Sequence, residues 1–335
     1  MEVVPKVWIG GLYATTPLKH RDKSSPTWKS ALSDTGVELT EAIDIAEIIL
    51  IIDIKESEMK RLRLKRSSDT KWILIRHEPL EVLPANYDLH FLSLFDLVID
   101  CGLDPSKSRN SILRPQFWPS NENPNAIERD HNRFVLVNSN QLGLIRGELY
   151  SLRRHCIYEL PQVDLYGRDW NIGYWKKVIE MSFRIVQLLK YRRLPNISSA
   201  RYWFRHPKNK IASPIEKFDV MSRYKTALVI ENSLNFMTEK IFDALFSGCI
   251  PIYVGPPVEN FGIPAHLCIQ ALPNVKDIER CMNLAKKIDY STWSIQAAEW
   301  INDESTKRKW SLESSAKQVL RQLDSISNNT NEKFD

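Results

Sequence analysis

The sequence predicts an α/β protein built from two Rossmann-like domains, and three observations carry that prediction. Apolar runs of strand length recur along the chain, separated by stretches with helical period. Runs that are apolar throughout, rather than alternating, suit parallel strands covered on both faces by helices. The alternation lapses in a stretch at 103–131 rich in Pro, Asn, Ser and charge, then restarts, which splits the chain near 120–132. At 335 residues the chain is long for one hydrophobic core and comfortable for two.

In the first half, KVWI at 6–9 reads as a strand running into Gly10-Gly11. Such a pair suits a backbone that approaches a ligand or another element closely, or a simple turn. EIILIID at 47–53 is a buried strand bounded by acids. A helix is expected over 57–66, then strands KWILIR at 71–76 and LFDLVI at 94–99. In the second half, FVLVN at 134–138 is a strand, and Ser139-Asn140 open a helix expected to run through Arg146, Leu149 and Leu152. VDLYG at 163–167 is a strand, 171–192 a helix and 194–216 a loop. Strand 226–231, helix 238–247, strands 250–254 and 267–271 and helix 275–287 follow, before helices with polar faces and a disordered tail, NNTNEKFD.

Composition narrows the function. With 46 basic and 41 acidic residues the net charge is +5, a mild excess that suits an anionic small ligand and falls far short of a nucleic-acid footprint. The densest basic run, KRLRLKR at 60–66, reads as a solvated face, with an anionic acceptor or membrane headgroups as the alternative. Five cysteines without a CxxC pair read as buried free thiols of a reducing compartment, and the seven histidines show no metal-ligand spacing. No targeting segment is visible, and no run reaches the roughly 18 to 20 apolar residues of a membrane span. A cytoplasmic enzyme is expected, with at most peripheral contact to the inner membrane through basic patches. The absence of GxGxxG disfavours a dinucleotide oxidoreductase.

The stretch TALVIENSLNFMTEKIFDALFSG at 226–248 carries the chemistry. Glu231 and Asn232 emerge where a buried strand ends, the ligand-binding edge of such a sheet. Thr238 is a good N-cap, which puts Glu239 and Lys240 in the first helical turn, with Ile241, Ala244, Leu245 and Gly248 toward the sheet. A lysine there opposes the helix dipole by roughly 0.3–1 kcal/mol, and an anion such as a diphosphate would explain it. Glu239 could accept from a pair of sugar hydroxyls. A capped helix with a solvated Glu–Lys pair is the alternative. Arg146 is a second candidate clamp on phosphate, or a surface arginine. Glu78, held out of helix by Pro79 just past a strand, is placed to act as a base, or is a surface loop glutamate.

These segments together resemble glycosyltransferase family 10, the α-1,3/4-fucosyltransferases. YKTALVIENSLNFMTEKIFDALFSGCIPIYVGPP at 224–257 is similar to that family's hallmark run. FVLVNSNQLGLIRGELYSL at 134–152 is similar to its Ser-Asn, spacer, Arg segment, VDLYGRDW at 163–170 to its Asp-x-Tyr-Gly step, and HEPLEVLPANY at 77–87 to the loop bearing the catalytic base in soluble bacterial members.

The resemblance implies a GT-B fold, two Rossmann-like domains facing a central cleft. It implies an acceptor domain at 1–130, a donor domain at 131–310, and a C-terminal helix with a disordered tail at 311–335. The reaction implied is inverting transfer of L-fucose from GDP-fucose to O3 of a GlcNAc or Glc unit of a glycan acceptor, with no cofactor and no metal. Lys240 and Arg146 would hold the diphosphate, Glu239 the ribose hydroxyls, and Glu78 would deprotonate the acceptor. Glu231, Asn232 and Ser233, with Thr238, Tyr166, Gly167 and Tyr224, would line the donor site. In animal members an acid and a Tyr precede Thr-Glu-Lys, where this chain has Leu234-Asn235-Phe236-Met237. Another GDP-linked sugar, or an inactive carbohydrate-binding protein of the same fold, stays open.

Overall fold

The computed structural model describes residues 5–17, 25–63, 67, 69–118, 128–207, 210–212 and 217–331. The chain forms two units: Met1–Trp118 together with Glu304–Asp335, and Pro119–Asp303.

In the first unit the elements run β1 (Lys6–Gly11), α1 (Trp28–Asp34), β2 (Glu38–Leu39), β3 (Ile48–Ile52), α2 (Glu56–Arg63), β4 (Lys71–Arg76), α3 (Leu89–Leu92), β5 (Leu97–Cys101) and β6 (Ser111–Ile112). They form a parallel sheet in the order β2-β1-β3-β4-β5-β6. The order reverses at β1, so β1 and β3 leave the sheet side by side at the edge where ligands bind such folds. Leu50 and Ile52 of β3 and Ile73 and Ile75 of β4 pack with Trp28 and Leu32 of α1. The strand expected at 94–99 begins at Leu97, and Phe95 instead meets Trp72 edge-on. Residues 64–66 of the basic run lie outside the described residues.

In the second unit they run β7 (Phe134–Val137), α4 (Tyr150–Glu159), β8 (Val163–Tyr166), α5 (Tyr174–Lys190), β9 (Lys210–Ala212), α6 (Lys217–Met221), β10 (Thr226–Ile230), α7 (Lys240–Phe246), β11 (Ile250–Val254), β12 (Ile269–Gln270), α8 (Val275–Ala285) and α9 (Tyr290–Asn302). The sheet is again parallel, in the order β12-β11-β10-β7-β8-β9. β10 lies between β11 and β7, and all five of its residues are buried. Two more helices follow, α10 (Glu304–Lys309) and α11 (Leu312–Asn331).

The division differs from the expected boundaries at 130 and 310. α11 packs on α1 and β6, and its Leu312, Ala316 and Val319 join the core of the first unit. An amphipathic helix goes where its apolar stripe finds cover, so the chain returns to the unit it started from. The last residues, 332–335, lie outside the described residues. The helix expected from Ser139 is also displaced. Asn138 and Asn140 donate their amides to the carbonyls of Tyr166 and Arg168, which prolongs the β7–β8 pairing. Gly147 then turns the chain at φ 99°, and α4 starts only at Tyr150.

Candidate active site

In the second unit the carboxyl end of β10 carries a buried clasp. Glu231 has no exposed surface. Its Oε1 accepts the Thr238 amide at 2.9 Å and the Tyr253 hydroxyl at 3.3 Å, and its Oε2 accepts the Thr238 hydroxyl at 2.6 Å. Lys240 donates to that same hydroxyl oxygen at 2.8 Å and stands 3.5 Å from Oε2 of Glu231. A loop of six residues is thereby closed on itself, with Phe236 and Met237 buried beneath it.

This arrangement revises three expectations. Thr238 does not cap the helix: Glu239 occupies that position in helical conformation without a side-chain cap bond, and the Thr238 hydroxyl serves Glu231 instead. Glu231 is a structural pin inside the loop, with every carboxylate oxygen engaged. Lys240 has a counter-charge already, so no ligand is needed to account for it. Ile241, Ala244 and Leu245 face the core as expected. In the same loop Leu234 packs against the core, while Asn235 is exposed.

Arg153 was not anticipated. Its guanidinium is buried and donates to the carbonyls of Ile230 and Glu231, each at 2.7 Å, and to Oδ1 of Asn232 at 2.9 Å. It also lies over the ring of Tyr150. The planar fork gathers the acceptors left where β10 stops pairing. Burial pushes its pKa down. The cue in the sequence was a pair of adjacent arginines, Arg153-Arg154, between Leu152 and Cys156-Ile157.

The segment of Arg146 joins this edge. Leu149 donates its amide to the Asn232 carbonyl, and Glu148 bridges Ser233 in antiparallel fashion. Ser233 is itself buried between Glu148 and Phe236. Arg146 is exposed in the turn just before, rather than on a helix, and among the described residues its guanidinium has no hydrogen-bond or ion-pair partner. Glu239, half exposed, and Lys240, at 17 % side-chain exposure, are the charged groups the clasp presents.

Tyr166 and Gly167 stand where β8 ends, at the carboxyl edge of the sheet, whereas Tyr224 departs from a donor-site placement. Tyr224 precedes β10, at the opposite edge of the sheet, and donates to Oδ2 of Asp164 at 3.0 Å. The Tyr166 hydroxyl lies 3.2 Å from that of Tyr224. Arg133 completes the buried group through Asp164. Gly167 is required by the backbone: at φ 149°, a Cβ would stand 1.8 Å from the Asn138 carbonyl oxygen.

In the first unit a second cluster sits at the carboxyl ends of β1, β3 and β4. Gly11, at φ 100°, lets the chain turn against the backbone of Ile52 and Asp53, where any Cβ would clash at 2.4 Å. Tyr13 is thereby brought over His77, with rings 6.0 Å apart, and its hydroxyl donates to Oε1 of Glu78 at 3.4 Å. Arg114 donates to the His77 carbonyl at 2.8 Å and stands 3.6 Å from Oε1 of Glu78. Glu78 itself is largely buried, not a surface loop residue. His77 accepts from Trp28 Nε1 at 2.9 Å, and burial holds its pKa well below the usual histidine value, so it is neutral.

Asp53 organises this cluster and was also missed. It is fully buried, in the left-handed region at φ 56°, and its Oδ1 accepts the amides of His77 at 2.8 Å and Glu78 at 3.4 Å and the side-chain amide of Asn86. Oδ2 is buried without a partner. Desolvation, reinforced by the charge of Glu78, raises its pKa to about 7. Its cue was the same as for Glu231: an acid ending a buried apolar strand.

Among the described residues no cluster of three His, Cys, Asp or Glu could hold a metal ion, and all five cysteines are buried and unpaired. None of the described helices is long and apolar enough to cross a membrane.

Two parallel-sheet units of this kind make the fold GT-B. The chain is similar to HepE of Anabaena, solved with UDP and glucose, at a TM-score of 0.53 and 8 % identity, over 96 % of this chain and all of that one. An α1,3-fucosyltransferase structure is similar at a TM-score of 0.48 and 14 % identity, over 94 % of this chain and 89 % of that one. In sequence, 79 residues are 34 % identical to a fucosyltransferase-like protein of Arabidopsis thaliana. That stretch is 23 % of this chain, which spans 15 % of the relative's length. No protein-family model matches the chain.

Proposed function

We propose that the chain is an inverting glycosyltransferase that moves L-fucose from GDP-fucose to a hydroxyl of a glycan, O3 of a GlcNAc or Glc unit, without a metal ion. The observation that carries this reading is the clasp after β10, in which buried Glu231 pins Thr238 so that Glu239 and Lys240 stand at the carboxyl edge of the sheet. The partial likeness to a fucosyltransferase-like protein supports the sugar.

Lys240 and Arg146 hold the diphosphate, and Glu239 takes the ribose hydroxyls. Glu78 removes the proton of the acceptor hydroxyl as its oxygen attacks the anomeric carbon. The bond from that carbon to the phosphate oxygen breaks, and GDP leaves with the electron pair. Fixed positive charge on the departing phosphate supplies what a metal would otherwise provide. Asp53 holds the backbone amide of Glu78 and so orients the base.

GDP is expected to raise the melting temperature and UDP to leave it unchanged; stabilisation by UDP alone sinks the donor assignment. Glu78→Gln is expected to lower fucosyl transfer at least about 100-fold while GDP affinity stays as it was. Undiminished transfer removes Glu78 from the base role.

A further inference from the structure

α5 is apolar on two sides. Its inner side, with Met181, Ile185 and Leu188, packs with Leu142, Leu144 and Trp203. The outer side carries Trp175, Ile179, Phe183 and Val186, which recur every three or four residues and so form one stripe. Each of the four is between 65 and 75 % exposed. Leu194, a few residues past the helix, is 88 % exposed. A helix apolar around most of its circumference needs a second cover beyond its own core.

The charges around the stripe identify that cover. Between 174 and 193 the exposed charged side chains are Lys176, Lys190, Arg192 and Arg193, all basic; Arg184 and the single acid, Glu180, are half-buried, and Lys177 is buried over Trp203. At 100° per residue, Lys176 and Lys190 fall on either side of Phe183, and Arg192 and Arg193 follow at the helix end, exposed. Glu180 falls beyond Lys176, away from the stripe. An anionic bilayer suits both features at once: apolar side chains enter the boundary of headgroups and acyl chains, and long basic side chains reach back to the phosphates.

We propose that α5 lies flat on an anionic membrane surface through Trp175, Ile179, Phe183 and Val186, with Lys176, Lys190 and the arginines that follow on the lipid headgroups. The site is remote in sequence from the run at 60–66, and it does not depend on which sugar is transferred.

The test is co-sedimentation of the full chain with vesicles of phosphatidylcholine alone and of phosphatidylcholine with about one-quarter phosphatidylglycerol. Binding is expected to the anionic vesicles, weakening as salt rises from about 0.1 M to about 0.5 M. The double variant Ile179→Glu, Phe183→Glu should bind at least about tenfold more weakly, with an unchanged melting temperature, since both side chains are in solvent. Lys190→Glu should weaken binding about fivefold or more and flatten its salt dependence. The proposal is overturned if the unmodified chain stays in the supernatant with both vesicles, or if the double variant pellets as well as the parent. It is equally overturned if the parent is a dimer by analytical ultracentrifugation that the double variant dissociates, because the cover is then a second copy.

Discussion

Lys240 Nζ lies 3.5 Å from Oε2 of Glu231, a carboxylate with no exposed surface. The lysine that opposes the helix dipole is thus balanced from within, and the same pair holds the loop that presents it. Glu231→Gln is expected to lower stability by about 2–4 kcal/mol, because it removes a buried partner and leaves the Thr238 and Tyr253 donors poorly matched. Lys240→Ala should cost less, since the ammonium is partly in solvent, yet it should weaken GDP binding. Denaturant midpoints and GDP titration separate the two. If Glu231→Gln melts with the parent, the clasp is not what holds the loop.

Arg146 reverses this pattern. It is exposed and unpartnered among the described residues, so Arg146→Ala should shift stability by no more than about 0.5 kcal/mol. As a phosphate clamp it should nonetheless carry about tenfold in GDP affinity. Calorimetric titration with GDP decides: unchanged affinity in a stable variant returns Arg146 to an ordinary surface role.

What was legible in the sequence follows from what periodicity records. Buried parallel strands are continuous apolar runs, so β3, β4, β7, β10 and β11 stand out, and with them the strand ends at Glu78 and Glu231. Long-range partners leave no local trace. Nothing near Glu231 announces Tyr253 or Arg153, and nothing near Glu78 announces Tyr13 or Arg114. The loop at 138–149 resembles a helix because Arg146, Leu149 and Leu152 keep helical spacing, although Leu142 and Leu144 are buried against α5 and Trp203 from an irregular backbone. Tyr224 was assigned by position in a motif, and only the register of β10 shows it at the far edge.

Arg153 supplies a prediction for the residue missed in that way. Its Nη2 donates to three oxygens, the carbonyls of Ile230 and Glu231 and Oδ1 of Asn232. Arg153→Ala should therefore cost on the order of 3 kcal/mol or more. Arg153→Lys should recover little, because lysine has neither the second donor that Nε offers the Ile230 carbonyl nor the guanidinium plane that lies over Tyr150. Full recovery by lysine in chemical denaturation shows that charge, and not the fork, is what β10 requires.

Asp53 gives the chain a stability that depends on pH. Its carboxyl titrates near 7 in the folded protein, raised first by burial and then by Glu78. In the unfolded chain it titrates near the usual value of about 3.9. Between those values the folded protein keeps a proton that the unfolded chain has released. The contribution of Asp53 is therefore fully present below about pH 4 and is lost as pH rises through 7. Asp53→Asn keeps an Oδ1 acceptor for the amides of His77 and Glu78 but cannot ionise. Whatever its orphaned amide group costs does not vary with pH, and the neighbours His77, Glu78 and Tyr13 are common to both proteins. The difference in unfolding free energy should move in favour of Asp53→Asn between about pH 5 and pH 8, by about 1.4 kcal/mol for each unit by which the folded pKa is raised within that window. Urea denaturation of both proteins across that range measures it. A difference that stays flat means that Asp53 is already ionised at pH 5, and that the base beside it is oriented by a charge rather than by a proton.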